Sequence, residues 1–176
     1  GMIGTFIVLP LTTKLVAKFG KKNVSTYSLI ISIAAYAVMV FFPSKNPYVY
    51  MGLSVVSGIG AGFYNMIVWA LVGDVIDYQE YISGKREEGT VYAAYSLARK
   101  LVQAIVGSIG GFALAAIGYQ SGVATQTAEV AESIRLIITL IPLIGFIFGF
   151  ITMKFVYNLS NKKLEEIETE LERRRA

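Results

Sequence analysis

The sequence has no cysteine and no histidine among its 176 residues. Disulfides, thiolate nucleophiles and the usual zinc ligands are thereby excluded. So is a Ser-His-Asp triad, which needs an imidazole base. Carboxylate or lysine chemistry stays open. Charge is scarce too: Asp, Glu, Lys and Arg make up 16% of the chain, against roughly a quarter in soluble domains. The shortage is uneven. Residues 24–44 and 46–73 carry no charge at all, and the second run exceeds the roughly 20 apolar residues that cross a bilayer. With 55% apolar residues and a mean hydropathy of +0.58, the chain reads as all-α, a polytopic bundle of transmembrane helices.

Residues 1–13 are apolar but too short to span, and they lack the basic leader of a cleavable signal peptide. They read as the second half of a helix that begins upstream. Spans are expected at 24–42, 48–73, 91–118 and 134–157, with a cytoplasmic tail at 158–176. The stretch 14–23 reads as a basic loop and 43–47 as a tight turn holding two prolines. Span 48–73 is rich in small residues (Gly52, Ser54, Ser57, Gly58, Gly60, Ala61, Gly62), which let helix backbones approach closely. Its Gly58-Ile59-Gly60-Ala61-Gly62 run lacks the preceding strand and following lysine of a nucleotide loop and reads as helix packing.

Lys14, Lys18, Lys21, Lys22, Lys85, Arg86, Lys154, Lys162, Lys163, Arg173, Arg174 and Arg175 fall on one side of these spans. Only Lys45 and Arg135 fall on the other. An excess of basic residues marks the cytoplasmic face, which puts the C-terminus inside a cell membrane. The net charge of +4 then records orientation, not a nucleic-acid partner. In the tail, Leu164, Ile167 and Leu171 mark one helical face, and Glu170 can pair weakly with Arg174 four residues on. The tail reads as a solvated helix, not a dedicated partner site.

Two charges, Arg99 and Lys100, lie inside a span, roughly 12–15 Å from its cytoplasmic end. Charge at that depth costs roughly 2.5–3.5 kcal/mol per residue on insertion scales. Either they face a water-filled cavity that binds solute, or they snorkel to the interface. For Arg99 both readings, and a structural pairing, stay open. For Lys100 the neighbours favour the cavity: Tyr92, Ser96, Lys100, Gln103 and Gly107 share one helix face, and the opposite face is mostly apolar. Asn65 is a further uncharged polar group at membrane depth. The stretch 74–90 reads as a charged loop, with Asp74 and Asp77 at the end of one span and Lys85 and Arg86 just before the next. Such groups can pair when the cytoplasmic side is closed. Because hydration repays much of the cost of parting them, they suit a gate; the alternative is an ordinary solvated loop.

This stretch and the helix after it resemble the signature of the glycoside–pentoside–hexuronide:cation symporters, the melibiose-permease-like branch of the major facilitator superfamily. The residues that carry the resemblance are Asp74, Asp77-Tyr78-Gln79-Glu80, Gly84-Lys85-Arg86-Glu87, Gly89 and Lys100. The small-residue run 107–119 and the basic loop 18–23 also fit, so that the resemblance covers nearly the whole chain. It implies the C-terminal portion of a twelve-helix fold, from a partial eighth helix to the twelfth. It also implies a secondary transporter coupling sugar or glycoside movement to Na+ or H+ by alternating access. The substrate-facing set is then Lys100, Ser96, Tyr95, Tyr92, Gln103 and Asn65. The cytoplasmic gate is Asp74, Asp77, Tyr78, Glu80, Lys85 and Arg86.

Three positions depart from the family pattern: Gln79 replaces a glycine, Asn65 stands where a sugar-stacking tryptophan is expected with Trp69 one turn away, and Arg99 has no expected charged counterpart. No cofactor or metal is expected beyond the coupling ion, whose main site would lie in the first six or seven helices. Those helices and membrane lipid are the expected partners, and the chain alone is expected to be inactive. The alternative is a membrane scaffold or a truncated remnant. A membrane-embedded enzyme is the poorest reading, because no acid sits at membrane depth beside a nucleophile.

Overall fold

The computed structural model describes residues 2–44, 46–123 and 125–175, with side chains from residue 10 onward. Among them the regular structure is helical: α1 (Met2–Phe19), α2 (Lys21–Phe41), α3 (Pro47–Ser83), α4 (Glu88–Ala116), α5 (Ala128–Ile151), a wide π turn (Thr152–Val156) and α6 (Asn161–Arg175). Four stretches are long and apolar enough to cross a membrane, namely Lys21–Phe41, Pro47–Ser83, Glu88–Ala116 and Ala128–Val156.

Local chemistry sets the helix ends. Asn46 caps α3 by accepting the Tyr48 amide at 2.9 Å, and Pro47 follows where a missing N–H is harmless. At the other end Gly84 adopts φ 71° and its amide reaches back to the Glu80 carbonyl. A left-handed cap of this kind favours glycine because a Cβ would be strained there. Thr127 caps α5 by accepting the Val130 amide.

The packed part is α2, α3 and α5, with the ends of α1 and α6 laid against them. α2 runs antiparallel to α3 and α5, and presents Ser25, Ser28, Ser32 and Ala35 as its buried face. These small residues let α3 come close. A Cβ added at Gly60 would lie 2.5 Å from both the Ser28 carbonyl and the Ser32 hydroxyl, and Ser32 Oγ donates to the Ser57 carbonyl at 2.9 Å. The expected packing role of the glycine run thus centres on Gly60, since Gly52 and Gly58 have open space where a Cβ would go. Toward the other end Val24, Leu29, Ile67, Leu71 and Met153 form the apolar core.

Several stretches differ from their sequence reading. The basic segment 14–23 is the end of α1, the single residue Gly20, and the start of α2. The acidic part of the segment read as loop 74–90 is helix: α3 continues without a break to Ser83, so that only residues 84–87 connect it to α4. Asp74, Asp77 and Glu80 sit three residues apart on one helical face, and cations from other segments offset their charge, as described below. The tail is not freely solvated either. Ile167 and Leu171 of α6 are almost fully buried, packed with Leu159, Tyr78, Tyr157 and Leu164.

α4 behaves differently. None of its residues is buried. Leu97, Leu101, Ile105 and Phe112 are all more than half exposed; Tyr95 and Arg99 meet Trp69 of α3, and Arg86 ties the first turn to the end of α3.

Candidate functional site

Two groups of side chains carry the chemistry, one at the basic end of the bundle and one on α4. At the basic end Asp74 is buried and pairs with Lys21, the first residue of α2. Its second oxygen accepts the Tyr157 hydroxyl at 3.2 Å. Lys22 donates to the Tyr157 carbonyl at 2.5 Å, so α2, α3 and the turn after α5 are joined through adjacent lysines. Burial, and then the Asp74 carboxylate, push the Tyr157 phenol well above the usual tyrosine range, which keeps it a neutral donor.

A second cluster lies one to two turns farther along α3. Arg86 reaches Asp77 at 2.8 Å, Glu80 at 2.9 Å and Glu88 at 2.5 Å, clamping the end of α3 to the start of α4. Hydrogen bonds from these carboxylates, Glu80 first, raise the Arg86 guanidinium above its ordinary value. Gln79 stiffens the connection: its amide oxygen accepts the Glu87 amide at 3.2 Å and its nitrogen donates to Ser83 Oγ at 3.0 Å. Glu80 is also held from the tail, by Arg175 at 2.6 Å. Arg174 donates to the Tyr81 carbonyl at 3.0 Å, and Lys163 stands over the Tyr78 ring.

Of the six residues read as a gate, Arg86 meets both Asp77 and Glu80. Asp74 meets Lys21 and Tyr157, and Tyr78 belongs to the seat of α6. Lys85 contributes backbone bonds to Ser83, and its ammonium forms no ion pair among the described residues. Sequence reasoning missed Lys21, Tyr157 and Arg175. Tyr157 closes an apolar span beside a basic segment, which was the available signal. Nothing local in the sequence pairs Arg175 with Glu80, 95 residues away.

On α4, Tyr92, Ser96, Lys100 and Gln103 are exposed. Tyr95 is partly covered, its ring edge-on to Trp69 of α3 at 5.5 Å, and the Arg99 guanidinium lies over the same Trp69 at 5.9 Å. Asn65 is exposed and donates to the Ala61 carbonyl of its own helix at 3.1 Å; among the described residues no hydrogen bond ties it to the α4 stripe. Trp69 also walls a groove of about 450 Å³ between α1 and α3, lined by Thr12, Thr13, Val16, Lys21 and Met66 among others. The described residues hold no cluster of His, Cys, Asp and Glu able to bind a metal ion. The arrangement offers cations, hydroxyls and aromatic faces on long apolar helices. Groups of these kinds hold polar solutes by contact and hydrogen bonding.

A family model described as MFS/sugar transport protein matches residues 1–161. The chain belongs to this family. It is a family of sugar/cation symporters, membrane transporters and not enzymes. Among curated relatives, an uncharacterized symporter of Bacillus subtilis, YjmB, is 36% identical over 95% of this chain and 36% of its own length. A glucuronide carrier protein homolog of Escherichia coli is 34% identical over 99% of this chain and 38% of its own length. A second uncharacterized Bacillus subtilis symporter, YnaJ, is 31% identical, again over 99% and 38%. The chain therefore spans little more than a third of these relatives.

Proposed function

We propose that this chain is the C-terminal portion of a sugar:cation symporter, from a partial eighth to the twelfth helix, in a cell membrane with its C-terminus cytoplasmic. The solute is a sugar or glycoside and the coupling ion is Na+ or H+. The observation that carries the reading is α4: a helix long enough to cross a bilayer that bears Tyr92, Ser96, Lys100 and Gln103 on one face and buries no residue against the rest of the chain. Polar and cationic groups at that depth mark a solute path, and a helix with no packed face needs further helices around it. In this family those are the remaining spans, and transport by rocking two halves about a midplane site needs both halves.

The basic end supplies the counterpart. Lys21–Asp74–Tyr157 and Arg86–Asp77–Glu80 join helix ends on what we read as the cytoplasmic side. Formed, they hold that side shut; parted, each group recovers hydration, which keeps the two states close in energy. The test is solute uptake into membrane vesicles driven by an imposed Na+ or H+ gradient, comparing this chain alone with the full reading frame that contains it. Accumulation only with the full frame is expected. Accumulation by neither, across pentosides, hexosides and hexuronides, would replace symport with a scaffold or remnant.

A further inference from the structure

We propose that the end of the bundle opposite the Lys21–Asp74 pair holds a phospholipid with a zwitterionic, primary-amine headgroup, seated between α2, α3 and α5 on the paired charges of Arg135 and Glu132. The proposal concerns the membrane around the chain and stands apart from the transported solute.

A cavity of about 410 Å³ opens there, lined by Tyr36, Met39, Tyr50, Ser54, Arg135 and Thr139 among others. Its place follows from the helix ends. α2 finishes at Phe41, α3 starts at Pro47, and Arg135 lies about two turns into α5. Tyr48, with Phe41 and Phe42, is more than two-thirds exposed at this end, and tyrosine is enriched where a bilayer meets water. On the orientation proposed above, the cavity lies in the outer leaflet near the headgroups.

The polar lining is built and only partly used. The Arg135 side chain is 16% exposed, whereas that of Glu132 is 56% exposed. Arg135 Nε and Nη2 donate to the two oxygens of Glu132 at 2.9 and 2.5 Å, and Nη1 donates to the Met39 carbonyl at 2.9 Å. The last bond satisfies an orphan carbonyl in the final turn of α2 and fixes the guanidinium in place. Three of its five N–H groups are then occupied, which leaves two. Tyr50, on the α3 wall of the cavity, has a buried hydroxyl that finds no acceptor among the described residues. Spare donors beside a fixed guanidinium fit phosphate oxygens.

Charge decides among headgroups. The Arg135–Glu132 pair is neutral as a whole. A purely anionic headgroup would set its phosphate beside Glu132 with nothing to offset the repulsion. A zwitterion meets both charges, its phosphate on Arg135 and Tyr50 and its ammonium on the exposed Glu132 carboxylate. Each Glu132 oxygen keeps a lone pair beyond the one Arg135 uses. That lone pair takes an N–H donor, which a primary ammonium has and a quaternary one lacks. Met39 and Ile138 give the cavity an apolar side, and Ile138, Ile141 and Phe148 continue as exposed side chains along one face of α5. They form a track for an acyl chain.

The experiment purifies the full reading frame, equilibrates it in mixed micelles of equal phosphatidylethanolamine, phosphatidylcholine and phosphatidylglycerol, and counts retained lipid by native mass spectrometry. The wild-type carrier is expected to keep phosphatidylethanolamine about tenfold over either other lipid. Glu132→Gln should bring phosphatidylethanolamine and phosphatidylcholine within about twofold of each other, and Tyr50→Phe should lower retention of both about threefold. Glycerophosphoethanolamine, the same headgroup without acyl chains, should displace no lipid. A folded wild-type carrier that keeps the three lipids equally overturns the proposal. So does one that keeps none, which would mean that protein covers the cavity. Unchanged selectivity in Glu132→Gln, or displacement by the soluble headgroup, overturns it as well. If one variant fails to fold, the wild-type preference and the other variant decide. Gradient-driven uptake by the same preparation bears on symport alone.

Discussion

α3 and α4 are neighbours of similar composition, yet only one is packed. α3 buries Ser57, Gly60, Ile67 and Asp74 against α2 and the turn after α5, whereas α4 buries nothing. Both carry small residues. Gly60 of α3 is pressed against Ser28 and Ser32 of α2, and Gly107, Gly110 and Gly111 of α4 meet open space. The difference teaches that hydropathy identifies a span and says little about where its partners are. α3 holds this chain together, and α4 leaves its faces uncovered by the described residues.

Four measurements break or sharpen that contrast, the largest effect first. Lys100→Ala in the full reading frame should lower gradient-driven accumulation at least a hundredfold, equivalent to about 2.7 kcal/mol, with insertion unchanged. Normal accumulation would remove Lys100 from the solute path. Asp74→Asn should do the reverse, destabilising the fold in detergent by about 2 kcal/mol, because Lys21 loses its buried partner. In transport it should slow switching more than it weakens solute binding, and unchanged exchange rates would count against a gate.

The glycines give a matched pair. Gly60→Ala must push apart two backbones and should cost about 1–3 kcal/mol, while Gly110→Ala should stay within about 0.5 kcal/mol in this chain. Equal costs in thermal melts would erase the distinction between the helices. The smallest effect is one of pH. Hydrogen bonds from Arg173, then Arg174, hold the Glu170 carboxyl below the usual carboxylate range. A depressed carboxyl contributes stability that is complete above its unfolded value and is lost as pH falls through the lower folded one. The end of α6, where these pairs lie within one helix, should therefore be fully held near neutrality and loosen progressively as pH falls from the ordinary carboxylate range to the lower folded value. Because the chain has no native cysteine, a single cysteine introduced at Leu164 reports this by labelling rate.

The spans were legible because a bilayer demands long uncharged runs, and charge is easy to count. The polar face of α4 was legible for the same reason: its cations stand out in an apolar stretch. The length of α3 was not. Asp74, Asp77 and Glu80 look like loop residues when read alone, and only the lysine and arginines of three other segments make a helix of them. The seat of α6 was missed on similar grounds. Leu164, Ile167 and Leu171 announce an amphipathic face, but its partner Tyr78 lies on another helix, close to a hundred residues away.

The unbroken course of α3 has a mechanical consequence. A single helix from Pro47 to Ser83 is a stiff rod about 55 Å long, pinched against α2 at Gly60. With that pinch as fulcrum, the arm to Ser83 is roughly 35 Å, so a tilt of about 5° sweeps its tip through about 3 Å. That displacement matches the 2.6 Å reach of Arg175, on α6, to Glu80. We infer that a rearrangement too slight to repack the small-residue seam is magnified at the tip into the making or breaking of that ion pair.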